Sequence, residues 1–477
     1  MKEKLHRRGA KYFFTFALTF LCLCSLALAE QKIIEAVGYS VMGDGPEEST
    51  EVAKERARKD ARRAAAEKAG IYVQSMSEVQ AGELTRDEVK TIVSNVLEVR
   101  EDGITAEVLG GMAVKYTCRI TAVVDTTDVT SQLRQDREKF EDAVKINQDQ
   151  VGYTEANDRE LAALKEEFKT ASAVEREEIN QKVKRNEEKF MATQLHERGV
   201  TQYSKGDYQA AVEYYEQAAA TDKLYAAPWV SLGWVHRERG EYDEAIESFQ
   251  KAIELLDSFA VSYNGVAYAY NCKGEYEQAI EYCQKAIERD QNYAAPWNNL
   301  GFAYDALGNY EKAIECYQKA TELDPKDPIP WSNLGSTYDD MGNYEKTIEV
   351  CKRALELDPQ NAKAYNNLGY ACLHLGDYDL TIEYCRKAVE IDPKYAEAWN
   401  GLSYGYNYKG KYYKALECCR RAIELNPNYA NAYNSLGFAY GGLERYHKSY
   451  DAYKKAAELD PADETYQKNL AKAKKRL

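Results

Sequence analysis

The 477-residue sequence is poor in Pro (10), Met (6), Trp (5) and His (5). So few prolines leave long helical runs uninterrupted. His6, His196, His236, His374 and His447 are scattered, and none lies beside a Cys/Asp constellation with ligand spacing, so no metal site is expected. There is no P-loop and no H-E-x-x-H. No catalytic pattern is recognised and no cofactor is implied, so the chain reads as a non-enzyme. Net positive charge is also missing: 63 Lys and Arg against 78 Asp and Glu give −15. That argues against a general nucleic-acid or anionic-membrane binder and still permits a local basic patch. The 11 Cys form no Cys-x-x-Cys. After the first 30 residues nothing is long and apolar enough to cross a membrane.

What the chain does have begins with a leader. Lys2, Lys4, Arg7, Arg8 and Lys11 precede an apolar run, Tyr12 to Leu28, broken only by Thr15, Thr19 and Ser25. Ala27-Leu28-Ala29 supplies an A-x-A cleavage site before Glu30, so residues 1–29 read as a signal peptide, with a retained anchor as the alternative. Cys22 and Cys24 follow Leu21 and Leu23 rather than a small residue, which disfavours lipidation. The mature protein is expected to be exported, periplasmic or envelope-associated in a bacterium. Nine Cys remain after cleavage. Cys283, Cys351, Cys385 and Cys419 share the position held elsewhere by Phe249 and Tyr317, a buried place where Cys acts as a small hydrophobe.

The dominant feature is a period of 34. Gly206, Gly240, Gly274, Gly308, Gly342, Gly376 and Gly410 are each 34 residues apart, and a Tyr follows each by two; at the eighth step Glu444 replaces Gly while Tyr446 keeps the pattern. Residues 294–327 carry the fullest unit: Trp297, Leu300, Gly301 and Tyr304, then Ala313, Tyr317, Ala320 and Pro325. This spacing, W-x₂-L-G-x₂-Y with A-x₃-F/Y and a closing Pro, resembles the tetratricopeptide repeat family. The resemblance implies a mainly α fold, a right-handed α-solenoid of helix pairs. Eight repeats are expected at 192–225, 226–259, 260–293, 294–327, 328–361, 362–395, 396–429 and 430–463. Residues 464–477 read as a capping helix in which Tyr466 and Leu470 cover the last repeat.

Two segments precede the solenoid. In residues 30–130, Ile33 to Met42 reads as a strand ending at Gly43-Asp44-Gly45. Residues 49–69 read as an Ala-faced helix stopped by Gly70, and Ile71-Tyr72-Val73 as a new extended piece. Thr85 opens a second helix to about Val96, and 97–109 with 112–125 form a hairpin at Gly110-Gly111. The sum is a small α+β domain. Glu35-Ala36-x-Gly38, the helix at 52–66, Ala69-Gly70-Ile71-Tyr72-Val73 and the strand Tyr116 to Val124 resemble the N-terminal domain of flagellar assembly protein T, which implies envelope assembly work without catalysis. Residues 131–191 read as a charged helical linker, broken at Gly152 and Asn157. Its coiled-coil-like seam of Leu161, Leu164, Phe168 and Ala171 serves either as a spacer or as a homodimer contact.

A binding surface is expected on the first helix of each repeat, opposite the core. A 100° step from Trp297, Leu300, Gly301 and Tyr304 puts Phe302 on the far side, flanked by Asn298 and Asp305. The Phe302 column reads Trp234, Tyr268, Phe302, Tyr370, Tyr404 and Phe438, with Ser336 interrupting; the Asn column reads Asn264, Asn298, Asn366, Asn400 and Asn434, with Ser332 interrupting. Asn donates and accepts, so an Asn ladder can hold a peptide backbone without demanding its sequence. This resembles the Asn-lined repeat arm of O-linked N-acetylglucosamine transferase. The alternative is that these Asn and aromatic residues pack between repeats. Asp305, Asp339 and Asp340 make the groove mildly acidic, which favours a basic or neutral peptide.

The expected function is that of an exported scaffold binding protein or peptide partners. A part of a secretion, pilus or flagellar machine, or a regulatory subunit of a glycosyl-transfer or cell-wall enzyme, are the alternatives.

Overall fold

The structure, a computed structural model, describes residues 31–42, 49–80, 97–109, 113–125 and 137–477. The leader, the turns at 43–45 and 110–111, and the helix expected at 85–96 lie outside the described residues. The chain divides into two compact bodies, residues 1–257 and 258–477.

In the first body, strands β1 (Gln31–Met42), β2 (Leu97–Val108) and β3 (Val114–Asp125) form an antiparallel sheet in the order β1-β3-β2. Alternation decides which face is covered. Ile34 and Ala36 of β1 and Tyr116, Cys118, Ile120 and Ala122 of β3 point to one side. There they meet Ala53, Ala57, Ala61, Ala65 and Ala69 of helix α1 (Thr50–Gln80), a four-residue spacing that keeps one helical face. Small residues let helix and strand approach closely: a Cβ on Gly38 would lie 2.0 Å from the Ala61 amide nitrogen.

One expectation is corrected here. α1 does not stop at Gly70; it runs on through Ile71-Tyr72-Val73 to Gln80. A Gly inside a helix costs only about 1 kcal/mol relative to Ala, and twenty residues of helix already docked on the sheet offset it.

The linker is also more regular than its sequence suggests. Helices α2 (Arg137–Thr170) and α3 (Ala173–Ser204) form a hairpin, and α2 passes through Gly152 and Asn157 without a break. Asn157 is buried and held by Asn186 of α3: the Asn186 Nδ2 donates to Asn157 Oδ1 at 2.6 Å and the Asn157 Nδ2 to the Asn186 carbonyl at 3.2 Å. The seam, open from sequence as spacer or homodimer contact, packs inside this chain. Leu161 and Leu164, with Phe168 and Ala171, cover Ile179 and Val183 of α3. Ser172 and Glu175 cap α3 reciprocally. Charge fastens the small domain to the hairpin. Buried Glu55 accepts from Arg58 (2.6 Å) and Arg198 (3.0 Å), and Arg56 pairs with Asp158 at 3.0 Å while lying over the Phe190 ring.

The end of α3 is the first helix of the first repeat. The other first helices are α5 (Ala227–Arg239), α7 (Ala260–Lys273), α9 (Ala294–Ala306), α11 (Pro328–Asp340), α13 (Ala362–His374), α15 (Ala396–Tyr408) and α17 (Ala430–Gly442). The second helices are α4 (Tyr208–Thr221), α6 (Tyr242–Leu255), α8 (Tyr276–Arg289), α10 (Tyr310–Leu323), α12 (Tyr344–Leu357), α14 (Tyr378–Ile391), α16 (Tyr412–Leu425) and α18 (Tyr446–Leu459), and α19 (Glu464–Lys474) follows.

The seven periodic glycines turn the chain between helices at φ of 69 to 82°, the left-handed region that side chains disfavour. Glu444 takes the same turn at φ 58°. A second small residue fits the two helices together. A Cβ on Gly301 would sit 2.8 Å from the Tyr317 ring, and one on Gly233 2.7 Å from Phe249. Where Ala267 and Ser403 replace that Gly, Cys283 and Cys419 replace the ring. In the second body each first helix also packs on the first helix of the next repeat, whereas successive second helices make no comparable approach. The first helices therefore line the inner side of this solenoid.

Candidate protein-binding face

The inner face does not present the Asn column. Asn264, Asn298, Asn366, Asn400 and Asn434 are all buried. Each sits where one first helix meets its neighbour, and most of their carboxamides are bonded within the chain. The Asn299 Nδ2 donates to Asn264 Oδ1 at 2.9 Å, the Asn333 Nδ2 to Asn298 Oδ1 at 2.8 Å, the Ser435 hydroxyl to Asn400 Oδ1 at 2.8 Å, and the Asn469 Nδ2 to Asn434 Oδ1 at 2.9 Å. Asn264, Asn366 and Asn400 donate in turn to the hydroxyls of Tyr293, Tyr395 and Tyr370. The ladder is thus an inter-repeat splice. Two polar columns one residue apart meet at a spacing of 35, where helix–helix contact excludes water and every buried amide needs a partner. The second column, which includes Asn299 and Asn333, stands one residue further along the sequence, and spacing alone does not say that the two columns bond to each other.

The aromatic column divides. Trp234, in the first body, is buried; Tyr268, Tyr370 and Tyr404 are half-buried. The Tyr370 hydroxyl donates to the Glu397 carbonyl and that of Tyr404 to Asn431 Oδ1. Phe302 and Phe438 remain 40% and 39% exposed. Their rings lie against Tyr276 and Tyr408. Phe302 and Phe438 are the rings of this column most open to solvent.

Three successive first helices contribute a charged cluster. Asp305 ends α9, Asp339 and Asp340 end α11, and Lys363 opens α13. Burial raises the Asp305 and Asp340 carboxyls, and burial with the neighbouring Asp340 charge raises Asp339 to about 7. Burial lowers the Lys363 ammonium, which donates to Asn333 Oδ1 at 2.8 Å. Asp305 and Asp339 each keep one buried carboxylate oxygen without a hydrogen-bond partner. Three carboxylates against one ammonium, with acceptors to spare, can receive a cation.

Ser403 corrects the expectation that the sequence holds no nucleophile pattern. Gly401-Leu402-Ser403-Tyr404-Gly405 has G-x-S-x-G spacing. That motif acts on a sharp strand-to-helix turn. Here it lies inside α15, with Ser403 buried and its hydroxyl donated to the Asn400 carbonyl at 2.7 Å. It fills the small-residue position opposite Cys419 and is not poised for attack. Among the described residues no group of three His, Cys, Asp or Glu could hold a metal ion. Eight of the nine described thiols are buried, and burial raises Cys351, Cys418 and Cys419 to about 12.

Helix pairs of period 34, left-handed glycine turns and first helices stacked on one another define an α-solenoid of helix-pair repeats. The chain is a tetratricopeptide repeat protein. Residues 328–361, 362–395 and 430–463 match tetratricopeptide repeat families, 404–444 match a TPR repeat, and 155–337 match the C-terminal domain of cilia and flagella-associated protein 70. Among solved structures, the APC/C hetero-tetramer Cut9–Hcn1 aligns at 17% identity and a TM-score of 0.50 over 66% of this chain. The chain spans 62% of that protein's length, and the likeness shows the fold alone. MamA aligns at 29% identity and TM-score 0.31, over 35% of this chain and 96% of its own. YrrB, described as a TPR protein with an unusual peptide-binding site, aligns at 25% and 0.32, over 41% and 99%. No curated protein matches.

Proposed function

We propose that this chain is an exported, non-catalytic scaffold of a bacterial envelope assembly, and that the inner face of repeats 4 to 8 holds a basic segment of a protein partner. The observation that carries the reading is the cluster of Asp305, Asp339 and Asp340: all three carboxyls are raised, Lys363 acts on Asp305 and Asp340 but not on Asp339, and Asp305 and Asp339 each keep one oxygen without a hydrogen-bond partner. A Lys or Arg side chain would supply the missing donors and favour the ionised form. Exposed Phe302 and Phe438 add apolar anchors on the same face. Export is supported by the basic, apolar and A-x-A segments of residues 1–29, and envelope work by the resemblance of residues 30–130 to the flagellar assembly domain.

A photo-crosslinking amino acid at Phe302 of the full chain tests this. It captures a partner in the envelope fraction, whereas the same group at Glu315, exposed on α10, does not. Equal capture from both positions refutes the inner-face reading. Intact mass of the protein from that fraction starts at Glu30; a mass including residues 1–29 refutes cleavage.

A further inference from the structure

The last two repeats break the rules that the first six keep, and they break them in one place. The residue before each second helix is acidic or Asn in repeats 1 to 6: Asp207, Glu241, Glu275, Asn309, Asn343 and Asp377. Four of these cap the helix by accepting a backbone N–H. Repeats 7 and 8 have Lys411 and Arg445 there, without a side-chain cap. A cation at a helix N-terminus opposes the helix dipole. In the first turn, Asp or Glu in repeats 2 to 6 gives way to Tyr413, 68% exposed. The turn glycine becomes Glu444, held in a left-handed conformation disfavoured for a residue with a Cβ. Departures that cost stability and converge on one spot point to a function there.

Two of these departures, Tyr413 and Arg445, line one cavity. An open pocket of about 650 Å³ runs along α16 from Tyr413 past Leu416, Glu417 and Arg420 to Glu424, with Trp399 of α15 beside it and Arg445 reaching in from the next repeat, so three guanidiniums stand against two carboxylates. The Arg445 guanidinium lies 5.9 Å from the centre of the Tyr413 ring. Arg421 is paired with Glu424 at 3.1 Å, but among the described residues no carboxylate pairs with Arg420 or Arg445. Tyr413 to Glu424, eleven helical rises, span about 16 Å, the length of about five extended residues. Leu416 gives the pocket an apolar floor, and the two free guanidiniums suit carboxylate or phosphate oxygens.

We propose that this groove is a second binding site, which takes an extended acidic segment of a protein partner, about five residues long, bearing carboxylate or phosphate groups beside an apolar side chain. It is built from α16, Trp399 of α15 and the turn between α17 and α18 that carries Arg445, apart from the acidic inner face, and does not depend on what that face binds.

The test uses the full chain and three fluorescein-labelled pentapeptides read by fluorescence anisotropy: Asp-Phe-Glu-Asp-Leu, its Asn/Gln counterpart, and a version with phosphoserine in place of Glu. The acidic or the phosphorylated peptide binds roughly tenfold or more tightly than the neutral one, and Arg420→Ala and Arg445→Asn each remove about tenfold. The two acidic probes together identify which anion is preferred. Arg445→Asn restores the helix cap, so binding falls while the thermal midpoint rises. Asp339→Asn leaves the affinity unchanged. Equal binding of acidic and neutral peptides, no binding of either acidic probe at millimolar concentration, insensitivity to both Arg variants, or loss of binding in Asp339→Asn overturns the proposal.

Discussion

Replacing Asp339 by Asn separates the cost of a buried carboxylate from everything else the side chain does. The Asp339 carboxyl is raised to about 7 by burial and by Asp340, and one of its oxygens has no partner. In the unfolded chain an Asp titrates near 4. Between those values the folded state holds a proton that the unfolded state has lost, so stability falls as pH rises through the window from about 4 to 7 and stays lower above it. One pKa unit corresponds to about 1.4 kcal/mol, which sets a ceiling of about 4 kcal/mol. Partial exposure and relaxation around the group reduce this to about 1–2 kcal/mol. Asn has the shape of the protonated acid and no charge. Asp339→Asn is therefore expected to exceed the parent in urea unfolding by only about a third of the full effect at pH 5 and by about 1–2 kcal/mol at pH 8.5. An equal effect at both pH values, or a variant that becomes less stable than the parent as pH rises, refutes the reasoning.

The inter-repeat ladder predicts the opposite response. Asn298→Ala leaves the buried Asn333 amide without its 2.8 Å acceptor and should cost about 1–3 kcal/mol in urea unfolding; an unchanged midpoint would show the splice to be dispensable. Glu444→Gly restores the residue found at the other seven turns and should add about 1 kcal/mol, read in the same assay, with a loss of stability contradicting the strain. In the native protein, Ellman's reagent should find one rapidly reacting thiol among the described cysteines, exposed Cys272, because the others are buried; fast reaction of several before unfolding would mean that the repeats open readily.

Much of the fold was legible because repetition amplifies weak signals. One Gly is ambiguous, but seven at a period of 34 followed by Tyr fix the turns, and helix bounds follow from them. Single features misled. Gly70, Gly152 and Asn157 read as breaks in the sequence, yet the helices run through them: α1 is already docked on the sheet before Gly70, and Asn157 has a partner in Asn186. The seam at Leu161 and Leu164 showed what it was, an apolar helix face, without showing that α3 would cover it. The binding face was legible only in part. Helical phase identified Phe302 and Asp305, but phase cannot say how closely two first helices approach, and that distance buried the Asn column. Asp339 was visible as a charge, while its raised carboxyl depends on burial that no local pattern encodes. The site at Arg445 could have been found from sequence by comparing the eight repeats with each other, since the reversed charge before the second helix in repeats 7 and 8 is plain in that alignment.

The most direct test of the central claim titrates a fluorescein-labelled Lys/Arg-rich peptide against the full chain at pH 6 and pH 8, beside a variant carrying Asp305→Asn, Asp339→Asn and Asp340→Asn. If the inner face receives a cation, affinity rises by up to about tenfold from pH 6 to pH 8 as Asp339 ionises, and the triple variant loses both the affinity and its pH dependence. Binding of equal strength at both pH values, unchanged in the triple variant, would contradict the account.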